Sequence, residues 1–430
     1  MIRKLINPDR STWQELVKRP VKDLEDLEPG IKQTFKLVQE QGDAALLQLT
    51  EKYDGVRLTQ LLVSDDERAA ADKLVDPELK EAILQAYSNI QLFHAQQSET
   101  VKPVETMPGV LCWRKSVAIE KVGLYIPGGT APLFSTLLML GVPAKLAGCQ
   151  DIILCTPPAK DGSIHPAILY TANLLGIKRI VKAGGAQAVA AMAFGTESVP
   201  AVGKIFGPGN QYVTVAKQLV SRAGVAIDMP AGPSEVLVMA DEAANPAFVA
   251  ADLLSQAEHG ADSQVVLLTT SEAVLDAVIR ELEKQLAELP REAFATQALQ
   301  NSMGIVLQDT RQMLEFSNLY APEHLILAIQ DFESIAEGVV NAGSVFLGNY
   351  TPESAGDYAS GTNHTLPTNG YARSYSGVSL DSFVKKITFQ HISQQGLQQI
   401  GRTVEVMAAA EGLDAHKNAV SIRLKEINHV

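Results

Sequence analysis

Apolar residues follow two different periods along the chain, and the change from one to the other divides it. Toward the amino end they recur every three or four positions. Ile31, Phe35, Val38, Ala45, Leu46 and Leu49 form one such series and 83–93 holds another, as amphipathic helices require. Ahead of them, Trp13, Leu16 and Val17 stand at helical spacing in a charged arm over 1–22; such an arm is expected to dock on another surface. The stretch 110–120 predicts a hairpin or paired strands. From Lys121 onward, short apolar runs at 122–126, 151–155, 179–182 and 226–229 alternate with helices at 132–147, 165–175, 188–194 and 213–221. A second block has runs at 236–239, 264–268, 304–308, 325–329 and 344–347, with helices at 245–261, 273–289 and 311–319. Strand, crossover helix, strand is the signature of a parallel sheet. The pattern predicts an α/β protein, and two blocks of similar order suggest a duplicated sheet unit. A polar loop at 350–377 follows, and helices at 393–410 and 415–427 close the chain. A structureless run of that length is expected to be functional or disordered.

The helix at 245–261 organises this reading. Asn245 can cap it, Pro246 suits the first helical position and Gly260 suits its stop. Val249 and Leu253 mark an inward stripe whose next members are Gln256 and His259. An amide and an imidazole at that spacing share a face and can share a metal ion or a polar substrate. The plainer alternative is a hydrogen-bonded helix end, with His259 favoured near the negative end of the dipole.

Composition narrows the function classes. The net charge of −13 argues against nucleic acid or an anionic membrane surface as the main partner. No apolar run is long enough to cross a bilayer, and the N-terminal sequence lacks the apolar core of a signal peptide, so a soluble, cytoplasmic protein is expected. Cys112, Cys149 and Cys155 show no CxxC spacing. That fits a reducing compartment, and Cys149 and Cys155 are expected to be packed thiols.

Three further constellations carry possible chemistry. Glu323 and His324 follow a proline between a helix and a strand, where two neighbouring groups can serve as separate acids and bases. Asp357 and His364 lie among glycines in the long loop. Glu411 and His416 flank a helix stop at Gly412 and a helix start at Asp414. Each alone also reads as a solvated polar end. Together they offer imidazoles and oxygen donors that suit zinc, manganese or cobalt. No HExxH, GxGxxG or GxxxxGK[ST] motif is present. The residues alone reach a soluble α/β enzyme with a candidate metal site; a metal-dependent hydrolase and a binding protein with a structural metal stay open.

A series of segments goes further: GLYIPGGTAPLFST at 123–136, AGGAQAVAA at 183–191, FGPGNQYV at 206–213, DMPAGPSEVLV at 228–238, LLSQAEHG at 253–260, YAPEHL at 320–325, SAGDYASGTNHTLPT at 354–368 and EGLDAH at 411–416. In this order they closely resemble the histidinol dehydrogenase family, over essentially the whole chain. The resemblance implies two NAD-dependent oxidations of L-histidinol through L-histidinaldehyde to L-histidine, the last stage of histidine biosynthesis. It implies Gln256, His259, Asp357 and His416 as zinc ligands that also position substrate, with Ser234, His364, Glu411 and His324 as further substrate contacts. It implies His324 as general base, Glu323 as its partner base, and Tyr125, Gln187 and Asn210 as NAD contacts. It also implies two incomplete Rossmann-like domains with parallel sheets, an N-terminal arm (1–22) and a helical C-terminal tail (378–430). The first domain would span 23–125 and 236–377 and the NAD-binding domain 126–235. In a homodimer the tail would reach the partner's site, so that Glu411 and His416 act in trans.

Overall fold

Local signals start most of the helices. Ser64 and Glu67 form a reciprocal capping box at Asp65–Leu74. Asp76 accepts from the Glu78 amide ahead of Pro77 and opens Pro77–Ala95, and Asn245 caps Pro246–Ala257 in the same way. The strands Glu235–Ala240 and Gln264–Thr269 are buried throughout, as expected of parallel strands covered on both faces. The computed structural model describes residues 1–19, 25–128 and 131–428. Gly129 and Thr130 of the sequence motif, residues 20–22 of the arm and the last two of the tail lie outside the described residues.

The chain forms two units, Met1–Gln96 with Ile119–Phe383, and Gln97–Ala118 with Val384–Val430. The first is mixed α/β with two parallel sheets. One runs in the order Arg179–Lys182, Asp151–Thr156, Lys121–Tyr125, Lys204–Phe206, Ala226–Ile227. The other runs Arg3–Ile6, Met303–Val306, Gln264–Thr269, Glu235–Ala240, His324–Ala328, Ser344–Leu347. Among the described residues no helix is long and apolar enough to cross a membrane.

Three sequence expectations shift. The strand Lys121–Tyr125 lies in the five-stranded sheet, so that sheet starts before residue 126. The helices between 28 and 95 pack on that sheet's own layers, since Ile31, Phe35, Leu46, Ile83 and Ile90 share cores with Leu124, Leu154 and Val189. The domain bounds that the resemblance implies place them with the other sheet. The region 350–377 is not a plain loop either. It holds the helix Glu353–Tyr358, and Asn363, Thr365 and Thr368 are buried.

The amino-terminal arm behaves as expected. Its strand pairs with Met303–Val306, and Trp13 is buried with its ring edge-on to Phe316 at 5.3 Å. The cysteines also behave as expected. Cys149 and Cys155 are free and buried, and burial pushes their thiols up to about 11 and about 12.

In the second unit, Val384–Ile392 pairs antiparallel with Val110–Ala118, which pairs with Val104–Met107, and Trp113 stacks on Phe389. The helices Gln394–Ala410 and Asp414–Asn428 flank Gly412, whose φ of +72° ends the first. That stop and restart match the sequence expectation.

Gly343 shows how tightly the six-stranded sheet is closed. Its amide donates to Pro322 O and the next amide donates to Glu323 O, both at 2.9 Å. A Cβ there would stand 2.5 Å from Glu323 O. Gly343→Ala is therefore expected to lower the thermal unfolding midpoint. Gly30→Ala, where a Cβ meets nothing within 4 Å, should raise stability by about 0.5–1 kcal/mol, because alanine holds a helix better. Paired thermal unfolding curves check both, and equal midpoints would contradict the packing argument.

Candidate active site

Two neighbouring strands of the six-stranded sheet start at Glu235 and His324. The main chain of Glu235 holds both members of the Glu323–His324 pair. Its amide donates to Glu323 Oε2 at 2.9 Å, and its carbonyl accepts from His324 Nδ1 at 3.1 Å. Ala321, two residues before, adopts φ +54°, a left-handed conformation uncommon for a residue with a side chain. It ends the preceding helix and turns the chain into Pro322, Glu323 and His324. Ligand crevices in open parallel sheets usually lie at the carboxyl ends of strands. This pair sits at amino ends, because it lies on a helix-to-strand junction.

With Nδ1–H committed to a carbonyl, the lone pair of His324 is on Nε2. That atom is buried without a hydrogen-bond partner, as is Oδ1 of Asp357, 3.6 Å away. Glu353 Oε1 stands 4.0 Å from the same nitrogen. Burial works against a charged His324, but Glu323, Asp357 and Glu353 outweigh it and hold the imidazole up to about 10. Burial raises Glu323 to about 8 against the pull of His324, and raises Glu353 to about 7. Burial also opposes ionisation of Asp357, yet the contact with His324 keeps its carboxyl below the ordinary value. His259 and His364 are lowered by burial.

This is a carboxylate-rich cluster short of positive charge. His259, Glu353 and Asp357 offer ligand atoms within 4.8 Å of one another. The donor set, the orphaned Nε2 and the orphaned Oδ1 fit a divalent cation of the zinc type.

The anchor helix is shorter than its sequence suggests. Pro246–Ala257 ends before His259, whose amide still bonds Gln256 O at 3.3 Å. Gln256 continues the buried stripe of Val249 and Leu253, whereas His259 keeps an exposed edge. His364 donates from Nδ1 to Asp357 O at 2.8 Å and meets Thr136 Oγ1 at 3.1 Å through Nε2. Ser234 directly precedes Glu235 and is half-buried. Glu411 and His416 belong to the second unit, where both are exposed.

The other three candidates gather at carboxyl ends of strands in the five-stranded sheet. From Lys121–Tyr125 the chain adds strands on one side, then returns with Lys204–Phe206 on the other. Such a reversal opens a crevice. Tyr125 ends the first of these strands and Asn210 follows the second. The Tyr125 hydroxyl accepts from the Gly185 amide at 3.1 Å, Gln187 is buried, and Asn210 caps Gln211–Arg222 by accepting from two amides. Lys217 pairs with Asp228 and donates to Gly207 O at 2.8 Å, which fixes the glycine-rich turn before Asn210.

Three residues escaped the sequence reading. Glu353 lies one turn before Asp357, and that spacing was the available signal. Glu235 looked like the start of an apolar strand. Arg19 grips Glu235 through Nε and Nη2, both at 2.9 Å, and stacks 3.5 Å above the Tyr320 ring. No local pattern could link two residues so far apart in sequence.

The histidinol dehydrogenase family matches residues 17–424. The histidinol dehydrogenase of Bacteroides thetaiotaomicron is 60% identical over 427 residues, 99% of this chain and 100% of that protein. The chloroplastic histidinol dehydrogenase of Arabidopsis thaliana is 54% identical over 420 residues, 97% of this chain and 90% of that protein. The crystal structure of histidinol dehydrogenase from Elizabethkingia anophelis superposes with a TM-score of 0.98 at 60% identity, covering 99% of each chain.

Breaking a buried pair leaves a stranded charge. Arg19→Leu should destabilise the protein by about 3–5 kcal/mol, measured as a lowered thermal midpoint. The double variant with Glu235→Gln should lose less than the two single losses combined, and strict additivity would show that the pair is uncoupled.

Proposed function

The chain belongs to the histidinol dehydrogenase family, and we propose that it oxidises L-histidinol to L-histidine in two NAD-dependent steps at a zinc-containing site, ending histidine biosynthesis. The observation that carries this reading is the buried, partnerless Nε2 of His324 beside Glu323 and Asp357. Gln256, His259, Asp357 and His416 would hold the zinc, and Tyr125, Gln187 and Asn210 the nucleotide, on an incomplete Rossmann-like domain. When bound, zinc supplies a charge and a template for the substrate's nitrogens, and NAD supplies the hydride acceptor.

The protein's own groups then move protons. The Glu235 carbonyl fixes the His324 tautomer, so Nε2 takes the alcohol proton. The surrounding carboxylates alone would keep that imidazole protonated, and a divalent cation held among them would offset their field. Glu323 has one oxygen held by the Glu235 amide and a carboxyl raised toward neutral pH by burial, which suits it to activate the water that hydrates the aldehyde. As Glu323 takes a proton from that water, His324 returns its own to the carbonyl oxygen, which forms the hydrated aldehyde and frees Nε2 to accept the second alcohol proton from it. Cys149 and Cys155 are buried thiols raised well above neutrality, and the scheme needs no thiol intermediate. Ser234, His364 and Glu411 contact substrate in this reading. Glu411 and His416 come from the partner in a homodimer.

Zinc-loaded protein given NAD and histidinol should form two NADH per substrate; none would end the dehydrogenase reading. His324→Ala should weaken both oxidations, whereas Glu323→Gln should mainly slow oxidation of the aldehyde. Equal losses in both steps would overturn this division of roles.

Exchange of the tail has its own test. His259→Ala and His416→Ala proteins, each inactive alone, should regain activity when mixed and refolded, because one hybrid site keeps both imidazoles. No recovery would sink the contribution in trans.

A further inference from the structure

We propose that Glu353 is a positioning residue that decides which atom Gln256 offers to the metal. This rests on the metal-dependent reading above. Both side chains are buried. Glu353 opens the helix Glu353–Tyr358, and Gln256 lies on the last turn of Pro246–Ala257. One end of the Gln256 amide faces both carboxylate oxygens of Glu353, at 2.6 and 3.1 Å. An amide oxygen there would confront two acceptors, whereas the NH2 group donates to both. Nε2 therefore points at Glu353, and Oε1, at the other end of the same planar group, points away from it.

That orientation matters to a cation. An amide nitrogen carries protons and a delocalised lone pair and does not ligate, whereas its carbonyl oxygen does. If the amide turned over, a ligand would become a pair of N–H donors. Glu353 is itself held, because the Ser255 hydroxyl donates to its Oε2 at 2.9 Å. The carboxylates of Glu353 and Asp357, one turn apart, then divide the work: one orients a ligand and the other is a ligand.

The test uses full-length apoenzyme prepared with a chelator. Zinc affinity is read by competition with a chromophoric chelator, and cobalt(II) loading gives a visible spectrum that reports the ligand set. Glu353→Gln should weaken zinc binding about ten- to a hundredfold, the usual effect of losing a ligand's hydrogen-bond partner, because the cation must itself turn the amide to present Oε1. Cobalt that does bind then meets the same ligand set, and its bands stay in place. The exchanged pair Gln256→Glu with Glu353→Gln restores one carboxylate and one amide in contact and should recover most of the loss. Unchanged zinc affinity in Glu353→Gln, or no recovery in the exchange, overturns the positioning role. Shifted cobalt bands in Glu353→Gln overturn it too, by making Glu353 a ligand. Wild-type protein that takes up no zinc overturns the metal reading itself.

Discussion

The rest of the structure depends on the burial of charge around His324. Glu235, Glu323 and Glu353 are buried and Asp357 is half-buried, and withdrawing carboxylates from water is costly unless each is compensated. Arg19 compensates Glu235. The other three crowd one imidazole. They cannot all be satisfied by it, so two are pushed up and one is held down. An arrangement this unbalanced is stable only because the strands, the helix after Pro352 and the turn at Ala321 are fixed by packing elsewhere. Its uncompensated charge is of the sign that complements a cation.

Much of this was legible in the sequence wherever the signal was local. The buried stripe of Val249, Leu253 and Gln256 follows from helical spacing. The stop at Gly412 and the restart at Asp414 follow from residue chemistry. What escaped depends on distant pairings. Nothing near Arg19 announces Glu235, and nothing in residues 28–95 says which of two parallel sheets they cover. Glu353 was hidden by composition: in a stretch rich in glycine, serine and threonine a carboxylate reads as solvated, although the helix there buries it.

The two sheets present their polar groups at opposite strand ends. Tyr125 and Asn210 follow the usual rule, at carboxyl ends beside a reversal of strand order. Glu323 and His324 sit at amino ends, where the Glu235 peptide can serve two side chains at once. The segment bearing Asn363 and His364 ties these regions together, bonding Met139 O and Thr136 on the helix Phe134–Ala147. The two polar clusters are thus linked through one hydrogen-bonded segment.

The pairing of Arg3–Ile6 with Met303–Val306 also bears on how the chain is made. The five-stranded sheet draws its strands from one contiguous stretch, so it can close soon after it leaves the ribosome. The six-stranded sheet cannot, because its first strand is synthesised long before its neighbour. Non-local pairing of this kind is slow, and an unpaired strand meanwhile invites wrong partners. The waiting strand has the sequence RKLI. Its two adjacent cations discourage association with other nascent chains until the correct neighbour is released.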